Sequence, residues 1–142
     1  MTYQQAITTQ EEALSHLFFH CCFNDNAFND EELKTITDKL VTVGLHTNLN
    51  FKDEVVKYRA YRTELTDETE YLRYLLQLIV PVNELALFSY CIELCLGDAF
   101  LGPQEETLLK KIAQLLEIEE QQQDVIVKLM VQRRIVETQK LF

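Results

Sequence analysis

The sequence predicts an all-α fold, and three observations support this prediction. The 142 residues include only three glycines and two prolines, which favours long regular elements over complex loops. Apolar residues recur at i, i+3 and i+4 along most of the chain, as in helices with one buried face. One pattern of residues also occurs twice at a fixed separation, and such an internal repeat constrains the architecture of the whole chain.

The repeat is clearest in two loop-to-helix segments, 24–32 and 97–105. Asp25 and Glu32 in the first segment correspond to Asp98 and Glu105 in the second, at one offset of 73 positions. The same offset, without a gap, relates further pairs: Ala13 and Ala86, Leu14 and Leu87, Cys22 and Cys95, Phe28 and Leu101, Ile36 and Leu109, Val43 and Leu116, and Leu45 and Ile118. We therefore predict a duplicated architecture with halves at approximately 10–80 and 83–142.

Seven helices are expected from the periodicity and from the residues at helix ends. They are predicted at 10–23, 30–43, 51–65, 67–80, 83–96, 103–116 and 121–138. Gly44 suits the end of the second helix, Pro81 ends the fourth, and Pro103 suits the first position of the sixth. Because no linker rich in glycine, serine or proline separates the halves, we predict a single-domain helical bundle, 1–142, with one core.

Apolar spacing also predicts which residues face inward. The fifth helix is apolar on nearly all sides and is expected to be the most buried. In the third helix, Val55, Val56, Tyr58 and Tyr61 are expected to face the core. In the seventh, the residues expected to face inward are Val125, Ile126, Leu129, Met130 and Ile135.

Two histidines and four cysteines were considered as possible ligands. His16 and His20 lie one turn apart on the first helix, but no HExxH pattern accompanies them, which favours a partly exposed pair at the helix edge. The cysteines are Cys21, Cys22, Cys91 and Cys95. The N-terminus does not resemble a signal peptide and no CxxC knuckle is present, so reduced, buried thiols are expected instead of disulfides or a zinc site.

The charge balance disfavours several classes of partner. The formal net charge is −10, which is unsuited to a nucleic-acid backbone or an anionic membrane surface. No uncharged apolar run approaches the roughly 20 residues that a spanning helix needs. We expect a cytoplasmic protein with no membrane insertion and no nucleic-acid partner.

The duplicated acidic loops allow two interpretations. Carboxylate, amide and carbonyl oxygens are ligands for calcium and similar cations, and the first loop is richer in them. If one loop binds a cation alone, the first is therefore expected to do so. Alternatively, Glu32 and Glu105 are the third residues of helices and fold back onto the N-cap, while the aspartates bond loop amides. Both interpretations stay open on the sequence alone.

The motif resembles that of the TerB-like family of tellurite-resistance proteins. The resemblance rests on an aspartate after an apolar helix, an apolar residue three positions later and a glutamate seven positions later, in both halves. It implies an all-helical, internally duplicated fold and a role in bacterial tellurite or chemical-stress responses. It also implies metal binding, calcium included, at Asp25, Glu32, Asp98 and Glu105. The family commonly has Ala-Asp-Gly, where this chain has Asn24-Asp25-Asn26 and Gly97-Asp98-Ala99.

Three classes of function are therefore compared. The first is a non-enzymatic module that binds a divalent cation, such as calcium, as a cofactor in a stress response. The second is an acidic module that binds a protein partner, with the acidic residues serving only as helix caps. The third is an enzyme, for which the chain has no nucleophile elbow, phosphate loop or HExxH motif. We expect no catalytic residues.

Overall fold

The computed structural model describes residues 1–23, 29–96 and 100–140. Within these ranges there are eight helices and no strand. The helices are α1 (Tyr3–Ala6), α2 (Gln10–Cys22), α3 (Asp30–Thr42), α4 (Phe51–Arg62), α5 (Glu68–Ile79), α6 (Glu84–Cys95), α7 (Pro103–Leu115) and α8 (Glu120–Thr138). The prediction of an all-α fold is confirmed.

The additional helix, α1, was not expected from the sequence. It has only four residues, which is too short for apolar periodicity to reveal. Its signal is a capping box, in which the Thr2 hydroxyl accepts a hydrogen bond from Gln5 N and the Gln5 side chain accepts one from Thr2 N. These reciprocal bonds satisfy two backbone donors that the start of a helix leaves unpaired.

The chain divides into two compact units, 1–80 and 81–142. In the first unit, α2 contacts α3, α4 and α5, and α1 contacts α4. In the second, α6 contacts both α7 and α8. The division falls between the predicted halves, whereas the prediction of one domain with a shared core stays a prediction.

The most buried helix is α2, not α6. Nine of the 13 residues of α2 are buried, compared with six of the 12 residues of α6. The expectation from the sequence was wrong because apolar residues at the start of α6, Leu85 and Ala86, are exposed. In α2, Ser15 and His16 are also fully buried, and they can be so because hydrogen bonds satisfy their polar atoms.

Helices α3 and α7 have the same bounds at the offset of 73 positions, and α2 and α6 end at corresponding residues. Helix α3 covers 30–42 and α7 covers 103–115, while α2 ends at Cys22 and α6 ends at Cys95. The residues that follow α2 and α6, Phe23 and Leu96, also have similar backbone angles, with φ of −86° and −84° and ψ of 72° and 86°. The sequence offset is therefore matched by an offset in local backbone structure.

The ends of α3 and α7 share one C-terminal motif. After α3, Leu45 N donates to Leu40 O and Gly44 N donates to Val41 O. After α7, Ile118 N donates to Ala113 O and Glu117 N donates to Gln114 O. These paired bonds define a Schellman motif, which requires a left-handed residue just past the helix.

The left-handed residue of the motif is glycine in one unit and glutamate in the other. Gly44 has φ of +74° and Glu117 has φ of +58°. A left-handed backbone costs a residue with a β-carbon roughly 1–2 kcal/mol, but it costs glycine little. Glu117 therefore holds a strained conformation that Gly44 avoids.

Gly44→Ala is expected to lower the free energy of unfolding by about 1 kcal/mol, because alanine disfavours the left-handed backbone. Glu117→Gly is expected to raise it by about 0.5 kcal/mol, the relief of strain exceeding the extra entropy of the unfolded chain. Urea-induced unfolding measures both changes. Glu117→Ala is the matched control, since it removes the charge and keeps the strain. A neutral Gly44→Ala variant would contradict this account of the motif.

Candidate functional site

Glu32, one of the four predicted metal ligands, forms part of a capping box at the start of α3. The N-cap is Asn29, whose Oδ1 accepts a hydrogen bond from Glu32 N at 2.7 Å. In return, Asn29 N donates to Glu32 Oε1 at 3.3 Å. The geometry is the one expected of a capping glutamate at the third helical position.

Glu105 occupies the corresponding position of α7 and also folds back towards its N-cap. The N-cap is Gly102 and Pro103 follows it as the first helical residue. A β-carbon built on Gly102 would lie 2.6 Å from Glu105 Oε2, so the carboxylate occupies the space that an N-cap side chain would take. The two glutamates therefore have similar placements in the two units.

The other two predicted ligands, Asp25 and Asp98, lie outside the described residues. Within the ranges that the structure describes, no group of three or more histidine, cysteine, aspartate or glutamate side chains could hold a metal ion. The predicted cation sites therefore stay predictions, and the capping hydrogen bonds of Glu32 need no metal.

A third glutamate shows that capping by this residue type is general in the chain. Glu12, at the third position of α2, accepts from Thr9 N at 3.1 Å and from Thr8 N at 3.0 Å. Burial raises the pKa of the Glu12 carboxyl, but hydrogen bonds from Thr8 and Thr9 outweigh it and hold this pKa below its ordinary value. Since Glu12 is not in a duplicated acidic loop, an N-terminal glutamate here does not by itself indicate a cation.

The densest group of interacting polar side chains in the first unit is a buried cluster around His16, called here the His16 cluster. Its members are His16, Glu54, Tyr61 and Tyr71, from α2, α4 and α5. His16 Nε2 lies 2.9 Å from Glu54 Oε1, and His16 Nδ1 lies 2.6 Å from the Tyr61 hydroxyl. The Tyr61 hydroxyl in turn lies 2.5 Å from that of Tyr71. All four side chains are almost completely buried.

The geometry of the His16 cluster favours one direction for its hydrogen bonds. With Glu54 ionised and accepting from Lys57 Nζ at 3.2 Å, His16 donates from Nε2 to Glu54 and accepts at Nδ1 from Tyr61. Tyr61 then accepts from Tyr71, and every hydroxyl proton has an acceptor. An imidazolium would donate at both nitrogens and reverse the tyrosine bonds, so His16 is assigned as the neutral Nε2–H tautomer.

His20 repeats the arrangement one turn along α2. Its Nδ1 lies 2.8 Å from the Tyr58 hydroxyl and its Nε2 lies 2.8 Å from Glu68 Oε2. Each histidine is thus held between a tyrosine of α4 and a glutamate, and the two rings do not converge on one ligand. The arrangement argues for structural roles.

The expectation of a partly exposed histidine pair was wrong for His16, whereas His20 has intermediate burial. His16 has no exposed surface, and the His20 side chain is 9% exposed. Their partners are separated from them by 38 to 48 positions in sequence, beyond the range of helical periodicity. The sequence signal for the burial of these histidines is weak. It consists of glutamates and of tyrosines one helical turn apart on other helices.

The tyrosines of this region remain protonated at neutral pH. Burial raises the pKa of Tyr58, Tyr61 and Tyr71 well above the ordinary value for a phenol. They serve as neutral hydrogen-bonding groups, which is the role that the assigned direction of the bonds requires.

The four cysteines, Cys21, Cys22, Cys91 and Cys95, are buried thiols outside any disulfide. The interpretation of these residues as small buried side chains is confirmed. They lie on α2 and α6, the helices with the most contacts in their respective units.

The surface of α8 differs from the prediction. None of its 19 residues is buried, and Val125 and Leu129, both expected to face inward, are 56% and 65% exposed. Val136 is 53% exposed. The apolar residues of α8 are distributed over most sides of the helix, so packing against α6 covers only some of them.

Val56 on α4 was likewise expected to face the core, but it is 66% exposed, while its neighbour Val55 is buried.

The exposed apolar residues of α8 form one line. Val125, Leu129 and Val136 are spaced by four and seven positions, so they lie on the same face of the helix. Gln132, also exposed, lies on this face between Leu129 and Val136. These four residues are called here the α8 stripe.

Comparison with protein-family models, curated proteins and solved structures found no match. Among the described residues, no helix has both the length and the apolar character needed to cross a membrane.

Tyr61→Phe is expected to destabilise the protein more than Tyr71→Phe, by about 1–3 kcal/mol in the free energy of unfolding. Tyr61 is the donor to His16 and the acceptor from Tyr71, so its loss leaves two buried polar atoms unsatisfied. Removing the Tyr71 hydroxyl removes a donor and leaves the bond to His16 intact. Urea-induced unfolding of both variants measures the difference. Equal losses, or a larger loss for Tyr71→Phe, would contradict the central position of Tyr61 in the His16 cluster.

Proposed function

We propose that this chain is a non-enzymatic, TerB-like helical module of duplicated design that binds a partner protein through the α8 stripe. The observation that carries the proposal is the outward position of Val125, Leu129 and Val136 on one face of a helix without a buried residue. Scattered exposed apolar residues are ordinary on a protein surface, whereas an aligned set marks a surface for association.

The charge near the stripe supports a protein as the partner. The whole chain has a formal charge of −10, which opposes a nucleic-acid backbone. We extend the proposal to a cytoplasmic setting in a bacterial tellurite or chemical-stress response, which the family resemblance implies.

Internal duplication is part of the same proposal. Its support is the set of helix bounds and the Schellman motif that recur at an offset of 73 positions. Most residues at the paired positions differ, so the shared helix bounds and helix ends support duplication more strongly than residue identity does. The plan also agrees with the resemblance to the TerB-like family, which is assigned on the motif alone.

The absence of enzymatic activity is proposed from how the polar side chains are used. His16 and His20 are each held by a tyrosine and a glutamate. A general base needs a proton-accepting atom that can reach a substrate. His16 has both ring nitrogens engaged within the core and no exposed surface.

A site-specific photo-cross-link in living cells tests the binding surface. A photoreactive phenylalanine analogue in place of Leu129 is expected to form a covalent adduct with a protein, because the side chain would lie within the interface. The matched control places the same analogue at Val56, which is equally exposed on α4. Adducts are detected as bands of higher mass on denaturing gels. If position 129 gives no more adduct than position 56, the proposed binding surface is wrong.

A second candidate function is divalent-cation binding at the acidic loops. It is favoured by a recurring glutamate. Glu32 is the third residue of α3, and Glu105 is the third residue of α7. The ligands proposed from the sequence are these glutamates together with Asp25 and Asp98. Capping accounts for the placement of Glu32, so Asp25, Asp98 and Glu105 decide between the two interpretations.

Glu32→Gln separates capping from cation binding, because glutamine preserves a capping box but removes a carboxylate ligand. If calcium binds, millimolar calcium raises the melting temperature of the wild type and raises that of Glu32→Gln less. If Glu32 only caps α3, calcium shifts neither protein and the substitution costs less than about 1 kcal/mol. Differential scanning calorimetry with magnesium as the control ion distinguishes these outcomes. The absence of any calcium-dependent shift would exclude the second candidate.

A further inference from the structure

We infer that the partner of the α8 stripe is a second copy of this chain, bound with its α8 antiparallel to the first. The inference rests on the proposed function, since it names the occupant of the same surface. It is carried by two independent features of α8, the spacing of the stripe and the distribution of charge along the helix.

The spacing of the stripe suits a contact between two helices. Val125, Leu129, Gln132 and Val136 are separated by four, three and four positions, which is the alternation that forms the seam of a two-helix coiled coil. The stripe is also close to symmetric about its centre. In an antiparallel pair, Val125 of one copy lies opposite Val136 of the other, and Leu129 lies opposite Gln132, so both ends of the seam are apolar.

The charge on α8 is divided between its two ends. Residues 119–127 contain three acids and no base, whereas residues 128–140 contain four bases and one acid. The acids are Glu119, Glu120 and Asp124 at the first end and Glu137 at the second, and the bases are Lys128, Arg133, Arg134 and Lys140. Glu137 pairs with Arg133 and Arg134 of its own helix, so three acids at the first end face four bases less one acid at the second. An antiparallel pair places the acidic end of each helix near the basic end of the other. A parallel pair places like charges together, which is unfavourable.

These two features select a second copy over an unrelated protein. A twofold contact requires one surface to be complementary to itself. The α8 stripe meets this requirement in shape, because the twofold rotation places the apolar residue at one end of the stripe opposite the apolar residue at the other end. It also meets the requirement in charge, because the two ends of α8 have net charges of opposite sign. An arbitrary partner would not require either symmetry.

Light scattering coupled to size exclusion tests the inference on the purified full chain. We expect a species of twice the 16.7 kDa chain mass that dissociates on dilution. Leu129→Asp is expected to weaken dimerisation at least tenfold, because it places a charge in the seam, while the helical circular dichroism is unchanged. Val56→Asp, an equivalent change at an exposed site on α4, is expected to leave the dimer intact. A monomeric wild type at concentrations of about 1 mM would overturn the inference.

Disulfide trapping tests the orientation. Mixing Val125→Cys with Val136→Cys is expected to give the mixed disulfide dimer, while either variant alone gives little, because in the antiparallel pair identical positions lie on the order of 16 Å apart along the axis. The wild type, whose cysteines are buried, is the control. Efficient linkage of Val125→Cys to itself would overturn the antiparallel arrangement.

The cross-link at position 129 separates failure of this inference from failure of the proposed function. An adduct with the mass of two chains supports both. An adduct of another mass, together with a monomeric purified protein, overturns the second copy and leaves the proposed binding surface standing. No adduct, together with a monomeric protein, overturns both.

Discussion

The hydrogen bonds of His16 are the interaction on which the core of the first unit depends. A buried imidazole must satisfy both ring nitrogens, and His16 does so with Tyr61 and Glu54 of α4. Because Tyr61 also meets Tyr71 of α5, one histidine fixes how α2, α4 and α5 pack together. The second histidine, His20, repeats the arrangement with Tyr58 and Glu68. Specific pairing of polar groups thus adds to apolar burial in defining this core.

The second unit is built on a related backbone plan with a different core. The positions that correspond to His16 and Tyr61 at the offset of 73 are Ser89 and Arg134, so the polar cluster has no counterpart there. Its outer helix, α8, has no buried residue. The helix without a buried residue is therefore the one with an aligned apolar face, which is why we propose it as the binding surface.

The sequence predicted the elements well because helix signals are local. Periodicity, Pro103 and Gly44 identified helices and ends to within a few residues, and Asn29 with Glu32 indicated a capping box. The left-handed Glu117 could not be read from its residue type, since only the offset from Gly44 points to it. Burial of His16 depends on residues far along the chain, and the outward side of α8 depends on which face meets α6. For these reasons the all-α class was predictable, and the candidate binding surface was not.

His16 and His20 are engaged by hydrogen bonds within the first unit, and the α8 stripe is the surface that we propose for binding. Nitrogen-15 NMR of the histidine side chains tests the role of His16 most directly. We expect His16 to be the neutral Nε2–H tautomer with Nδ1 accepting a hydrogen bond, and we expect its signals not to change when calcium or zinc is added. An imidazolium, an Nδ1–H tautomer or a metal-dependent shift at His16 would contradict this role.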